Sequence, residues 1–213
     1  AASDVYKRQE AVRKTISPRI RDGRVVLDDL HLTAEYVRDL SRIYVIACGS
    51  SYHVGVAAKY ILERLLRIPV EVTLASEFRY CDPIVTDRTL ALVISQSGET
   101  IDTLAAMREA KRLGARLLSI VNVVGSTIAR ESDDVLYTWA GPEIAVATTK
   151  AYSTQLAVIY MIALYMADQL GTVSSEDMAR YMEDLQCLPD LAEECLHCLL
   201  YTSDAADDLI GVD

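Results

Sequence analysis

The sequence predicts a three-layer α/β/α sandwich built on a five-stranded parallel sheet. Short apolar runs rich in β-branched residues recur along the chain, and segments with apolar residues at helical spacing separate them. Such alternation is typical of a parallel sheet covered on both faces, with right-handed crossovers. Hydrophobic residues make up 51% of the 213 positions, enough for one sizeable domain with a core.

Each predicted strand is a short apolar run, and two of these runs stop at Gly49 and Ser95, as buried parallel strands do at turns. The five predicted strands are Arg42–Cys48, Val70–Leu74, Leu90–Ile94, Arg116–Val121 and Val135–Trp139.

The predicted helices lie between and after these strands. The segments Val54–Leu66 and Ile101–Leu113 carry apolar residues at helical spacing. Thr148–Leu170 is the most apolar segment, but polar residues at 153–155 and 168–169 leave fewer than the roughly 20 apolar residues of a membrane span. We therefore expect a helix buried in the domain or at a subunit contact.

The predicted organisation places a lead-in at 10–41, the main domain at 42–172 and a C-terminal helical segment at 173–198. Residues 1–9 and 199–213 continue no apolar period, and we expect them to be non-native or disordered.

The charge distribution limits the classes of partner. The net charge is −10, and eleven of the 31 acidic residues follow position 173, where Arg180 is the only basic residue. The main domain is therefore neutral, with no basic field for nucleic acid or an anionic membrane. An anion would have to be bound by local geometry.

The cysteines and histidines predict neither a metal site nor a cofactor. Five cysteines, an odd number, without a signal peptide indicate reduced thiols in the cytoplasm. Cys195 and Cys198 form a lone C-x-x-C, which we interpret as helix-face cysteines rather than a zinc or redox motif. His31 and His53 have no metal-ligand spacing.

Hydroxyl-rich loops follow the first and third predicted strands, where ligands bind open α/β sheets. The first loop contains Ser50 and Ser51, and the second spans Ser95–Thr100. Helix N-termini and hydroxyl donors together can hold a phosphate without lysine or arginine. Helix capping is the alternative explanation for either loop alone. Thr148 and Thr149, before the apolar helix, could likewise cap it or contact a sugar.

Other phosphate and hydroxyl chemistries are disfavoured. The chain has no G-x-x-x-x-G-K-[ST] and no G-x-G-x-x-G with an acidic ribose ligand, so a nucleotide site is not expected. A serine hydrolase would need G-x-S-x-G, which is absent, and a histidine downstream of its nucleophile. Only His197 follows Ser95 and Ser97, the candidate serines.

Four motifs together resemble one family: Cys48–Ser51, Ala75–Tyr80, Ser95–Thr100 and Val146–Lys150. In this order they resemble the first sugar-isomerase (SIS) domain of the glutamine–fructose-6-phosphate aminotransferases, over about residues 10–197. The resemblance implies a flavodoxin-like fold. It also implies synthesis of glucosamine 6-phosphate from fructose 6-phosphate and glutamine, with a glutaminase domain releasing ammonia and two SIS domains holding the sugar phosphate.

The resemblance also assigns a substrate site. It places the phosphate on Ser51, Ser95, Gln96, Ser97 and Thr100, and the sugar near Ser50, Val146 and Thr148. No catalytic residue is assigned, because the family's acid–base glutamate, histidine and Schiff-base lysine belong to the second SIS domain, and Lys150 does not match that lysine.

We therefore expect a domain that binds the sugar phosphate without completing the reaction, in the absence of the glutaminase and second SIS domains. The C-terminal segment would lead toward that second domain. We also expect a homodimer through SIS surfaces. The alternatives are a stand-alone SIS sensor or regulatory module and a single-SIS phosphosugar isomerase.

Overall fold

The computed structural model describes residues 7–143 and 148–207, with side chains as far as residue 195. A five-stranded parallel sheet lies at its centre, with helices on both faces. The predicted α/β/α architecture is confirmed.

The predicted strands agree with the observed ones to within two residues at each end. A small antiparallel pair, β1 and β2, precedes the parallel sheet, which consists of β3 to β7. The bounds are Ile20–Arg21 (β1), Arg24–Val25 (β2), Arg42–Ala47 (β3), Val70–Leu74 (β4), Thr89–Ser95 (β5), Arg116–Val121 (β6) and Asp134–Tyr137 (β7).

The helices cover the sheet and extend the domain at both ends. α1 leads into a 3₁₀ turn at Ser17–Arg19, and α8 continues past residue 198. The domain boundaries expected from sequence stay predictions. The bounds are Arg8–Ile16 (α1), Ala34–Asp39 (α2), Gly49–Leu66 (α3), Ala75–Phe78 (α4), Ile101–Arg112 (α5), Thr127–Glu131 (α6), Lys150–Leu170 (α7) and Ser175–Asp207 (α8).

The strand order is β4-β3-β5-β6-β7, so β3, the first strand of the parallel sheet along the chain, is an interior strand. Its neighbours β4 and β5 are on opposite sides, and the chain changes direction across the sheet between β3 and β5. Their register runs from Arg42 opposite Thr89 to Ala47 opposite Ile94. The carboxyl ends of β3 and β5 therefore meet at the switch point where α/β sheets bind ligands.

The two faces of the sheet bury separate apolar clusters, as alternation along β3 requires. Val45 packs on one face with residues of α3 and α7, including Leu62. Ile46 packs on the other face with Phe78 of α4 and Met107 of α5. These two layers anchor the helices whose first turns face the site described below.

The apolar helix α7 is a core element, with thirteen of its 21 residues buried. It packs on α3 and on the lead-in helix α1. In the described part of the chain, no helix has the length and hydropathy to cross a membrane.

The lead-in belongs to the same packed body. The hydroxyl of Thr15, in α1, donates to the carbonyl of Thr138, just beyond β7. The guanidinium of Arg19 donates to the carbonyl of Tyr137 at 2.6 Å. These contacts fix the lead-in against the edge of the sheet, since buried backbone carbonyls need donors.

Candidate functional site

A cavity of about 180 Å³ opens at the carboxyl ends of β3 and β5. Three segments far apart in the sequence meet there: the turn into α3, the loop after β5 and the segment before α7. The structure brings together seven of the eight predicted site residues, and the eighth, Val146, lies outside the described residues. The lining residues are Cys48, Ser50, Ser51, Ile94, Ser95, Gln96, Ser97, Thr100 and Thr148.

The turn into α3 places two serines in the first turn of an 18-residue helix. Gly49 turns the chain with a φ of +55°, a conformation that glycine adopts without steric cost. The first helical hydrogen bond is donated by the N–H of Tyr52 to the carbonyl of Cys48 at 3.3 Å. The backbone N–H groups before Tyr52 therefore donate no hydrogen bond within the helix. They lie at the positive end of the helix dipole.

The loop after β5 folds around its own hydroxyls. The N–H of Gly98 donates to Ser95 Oγ at 3.0 Å, and the N–H of Glu99 donates to Ser97 Oγ at 3.2 Å. Ser95 Oγ also lies 3.2 Å from Thr100 Oγ1. A serine oxygen that accepts an N–H keeps its own proton for another partner. These hydroxyls can therefore act as donors toward an anion.

Capping does not explain the hydroxyl residues at these helix starts. The N-cap positions of α3 and α5 are Cys48 and Thr100, and neither side chain caps its helix.

Helix α6 supports the loop from behind. The N–H of Ile128 donates to the carbonyl of Gly98 at 3.0 Å. The N–H of Thr127 donates to Glu99 Oε1 at 2.7 Å, and this hydrogen bond lowers the pKa of Glu99 below its ordinary value. Glu99 therefore caps an amide of α6 rather than one of α5, the helix that follows it in the chain.

The segment before α7 reaches the cavity through Thr148. Thr149 occupies the N-cap position without capping the helix through its side chain. Instead, the carboxylate of Glu143 accepts from the N–H of Thr149 at 2.7 Å and from its hydroxyl at 3.2 Å. Lys150 is buried and donates to the carbonyl of Pro142 at 2.6 Å. Sequence reasoning predicted neither the contact between Glu143 and Thr149 nor the contact between Lys150 and Pro142.

A further residue stands behind Ser51. The hydroxyl of Ser51 donates to Gln155 Oε1 of α7 at 3.2 Å, and both side chains are buried. Sequence reasoning did not place Gln155 at the site. The signal was a polar residue interrupting an otherwise apolar helix, because buried polar side chains in such helices have partners.

The described lining of the cavity contains almost no charged or ionisable side chains. Among the described residues that line it, none is Lys or Arg, and Cys48 is the only one with an ionisable side chain. The positive potential comes instead from the N-termini of α3 and α5, which both begin at the cavity. Within the described residues, no three His, Cys, Asp or Glu side chains gather in a metal-binding cluster.

The fold and the hydroxyl-lined cavity at its switch point define the class of protein, and the comparison with family models agrees. The model for the SIS domain matches residues 36–165, more than half of the chain. The chain therefore belongs to the SIS domain family.

Known relatives make the comparison more specific. Glutamine–fructose-6-phosphate aminotransferase (isomerizing) of Clostridium acetobutylicum is 52% identical over 194 residues, 91% of this chain and 32% of the relative. The Symbiobacterium thermophilum enzyme of the same name is 46% identical over 212 residues, 99% of this chain and 35% of the relative. The chain thus spans about a third of the curated relatives that it matches.

A solved structure agrees with both sequences. The C-terminal domain of glucosamine-fructose-6-phosphate aminotransferase from Francisella tularensis superposes with a TM-score of 0.84 and 38% identity, covering 89% of this chain and 54% of that one. The aminotransferase resemblance inferred from the four motifs is confirmed.

Proposed function

We propose that this chain is the sugar-phosphate-binding SIS domain of a glutamine–fructose-6-phosphate aminotransferase in amino-sugar synthesis. Its ligands are fructose 6-phosphate and glucosamine 6-phosphate. The observation that carries the proposal is the cavity at the ends of β3 and β5, where two helix N-termini meet a ring of hydroxyls. The names of the relatives supply the substrate class.

In this proposal the phosphate group lies between the first turns of α3 and α5. Backbone amides and hydroxyls donate to its oxygens, and the helix dipoles offset its charge. The cavity volume of about 180 Å³ is smaller than the roughly 300 Å³ at which sites for drug-sized ligands begin, so it fits the phosphate end of a small ester. The phosphate donors are Ser51, Ser95, Gln96, Ser97 and Thr100, and the sugar contacts are Ser50, Val146 and Thr148.

The proposal assigns binding, but not catalysis, to this chain. Isomerisation and ammonia addition need groups that take up and release protons near neutral pH. Among the described residues that line the cavity, there is no His, Asp, Glu, Lys or Arg. The acid, the base and the amine would come from the second SIS domain, and the ammonia from the glutaminase domain. Formation of glucosamine 6-phosphate by the purified chain would contradict this part.

The proposal also covers the oligomeric state of the chain and its place in the cell. The chain forms a homodimer through SIS surfaces, and it works in the cytoplasm as a soluble protein. Neither nucleic acid nor a membrane is a partner, in keeping with the neutral main domain.

The binding proposal is tested by calorimetric titration of the full chain with fructose 6-phosphate, glucosamine 6-phosphate and inorganic phosphate. We expect both sugar phosphates to bind more tightly than phosphate. We expect Ser97→Ala to weaken their binding by roughly 1.5–3 kcal/mol, or about 10- to 150-fold, because a charge-assisted hydrogen bond is lost.

The matched control is a serine at the amino ends of the strands, away from the cavity at their carboxyl ends. Ser41 is exposed just before β3, and its hydroxyl donates to the carbonyl of Arg88 at 3.1 Å. Ser41→Ala should leave the Kd unchanged. Failure of the folded wild type to bind at millimolar ligand, or equal losses in the two variants, would refute the proposed site.

A further inference from the structure

Gln155 is a fully buried amide whose hydrogen bonding is half complete. It lies in α7 with 0% of its surface exposed, and its Oε1 accepts from the Ser51 hydroxyl at 3.2 Å. Its Nε2 has no hydrogen-bond partner among the described residues. A buried amide N–H without a partner is costly, so an amide kept at this position calls for an explanation.

The direction of the Ser51 hydrogen bond matters for an anion in the cavity. A serine hydroxyl has one proton and two lone pairs. If that proton is donated to Gln155, Ser51 can present only lone pairs to the cavity, and these repel a phosphate oxygen. The observed arrangement therefore suits a cavity without a bound anion, because in it Ser51 cannot donate a hydrogen bond to a phosphate oxygen.

Exchange of the amide oxygen and nitrogen of Gln155 reverses this bond. A rotation of 180° about the last side-chain bond brings Nε2 to the position from which it can donate to Ser51 Oγ. The Ser51 proton is then released toward the cavity, and Nε2 gains an acceptor while Oε1 loses its donor. A bound anion favours this arrangement, because it accepts the released proton.

We propose that Gln155 is a positioning residue that makes Ser51 a hydrogen-bond donor to the phosphate. The inference rests on the proposed function, since it concerns the same site. It adds a residue that lies outside the four motifs and touches the ligand only through Ser51. It also gives the buried amide a role that an apolar side chain of the same size could not fill.

The test is calorimetric titration of the full chain with fructose 6-phosphate, comparing wild type with Gln155→Met. Methionine keeps the length of the side chain and removes the unpartnered N–H, so we expect the thermal midpoint to be kept or raised. We expect the Kd to rise about tenfold, because Ser51 loses the donor that orients it.

Two comparisons separate positioning from packing. Thr154→Val changes the neighbouring buried polar residue, whose hydroxyl donates to the Ala151 carbonyl within α7, and it should leave the Kd unchanged. In a Ser51→Ala background, Gln155→Met should change the Kd less than twofold, since the group through which it acts is gone. A purely structural role would shift the Kd equally in both backgrounds.

The outcomes distinguish this inference from the proposed function. If the folded wild type does not bind fructose 6-phosphate, both are overturned. If the wild type binds, but Gln155→Met binds equally well or weakens binding equally without Ser51, only the role of Gln155 is overturned. Gln155→Leu is the second variant, and loss of the fold in both would show a packing role and overturn the inference.

Discussion

At the scale of single residues, Gly98 in the loop after β5 has no room for a side chain. Its φ is +67°, and a Cβ at this position would lie 2.0 Å from Ser126 Oγ and 2.5 Å from Ser126 Cβ. Ser126 is itself buried, so it has little room to move. Glycine is therefore required twice, for the backbone conformation and for the contact with the segment before α6.

We expect Gly98→Ala to destabilise the fold by about 2–4 kcal/mol, the sum of a positive-φ cost and an overpacking cost. Urea unfolding measures this change. The control is Gly171→Ala, where φ is +65° and no atom lies within 4 Å of the added Cβ. That variant should lose only about 1 kcal/mol.

The steric part of this prediction has its own check. Adding Ser126→Gly to Gly98→Ala removes the colliding side chain and should bring the loss close to that of Gly171→Ala. No recovery in the double variant would contradict the assigned contact.

The residues found from sequence and those missed differ in a physical respect. Ser95, Ser97 and Thr100 share one short loop after an obvious strand, so their proximity follows from local chain geometry. Gln155 and Glu143 act through contacts that depend on how α7 packs. No local pattern shows which strand end a given helix residue faces, and for that reason sequence reasoning did not find them.

At the scale of elements, α2 joins the amino edge of the sheet through Tyr36. Its hydroxyl donates to the carbonyl of Thr89, the first residue of β5, at 3.4 Å, and the Arg116 guanidinium lies 5.5 Å from its ring centre. Burial raises the pKa of Tyr36 to about 12. The charged phenolate is disfavoured there because it would lose its hydration.

This shift predicts how stability depends on pH. The folded pKa of about 12 lies above the ordinary value of 10.0, so the folded state holds the proton more tightly. The contribution is fully present below pH 10 and is lost as the pH rises toward 12. Because the side chain is only partly buried, solvent screening reduces the effect, and we expect wild type to lose about 1 kcal/mol over this interval relative to Tyr36→Phe, measured by urea unfolding at several pH values.

The matched control for this element is Tyr80→Phe, a tyrosine that is 76% exposed. It should follow the wild-type pH profile. A Tyr36→Phe profile parallel to wild type between pH 10 and 12 would show that the phenol does not titrate with folding.

Element boundaries show where periodicity stops being informative. Val54 is the first buried aliphatic side chain of α3, and the sequence therefore predicted a helix start there. The helix in fact begins at Gly49. Its first turn contains Ser50 and Ser51, which line the cavity rather than the core. Polar first turns carry no apolar period, so the start of a helix at a binding site is hidden from this kind of pattern.

At the scale of the whole molecule, a mainly apolar groove lies between α1, α3, α7 and α8. Cavities of about 460 and 300 Å³ lie side by side in it and share Tyr160, which is 40% exposed. Leu156 and Leu164, one turn to either side on α7, contribute to the two cavities. An exposed apolar surface of this kind is typical of interfaces, which agrees with the proposed homodimer.

We expect light scattering of the wild-type chain to give about twice its mass of 23.5 kDa. Tyr160→Arg places a charge in the groove and should yield the monomer, because an unpaired charge is costly in an apolar interface. The control, Tyr80→Arg, lies outside the groove and should stay dimeric. A monomeric wild type, or a dimeric Tyr160→Arg variant, would contradict dimerisation through this face.

The sequence by itself determined the layers, the five strands, the neutral charge of the main domain and the hydroxyl loops of the site. These follow from local periodicity and from the chemistry of residues close together in the chain. Tertiary structure alone decided that β3 and β5 are neighbours, that α6 supports the loop after β5 and that Gln155 meets Ser51. Packing brings together groups more than a hundred residues apart, and local propensity contains no information on such pairings.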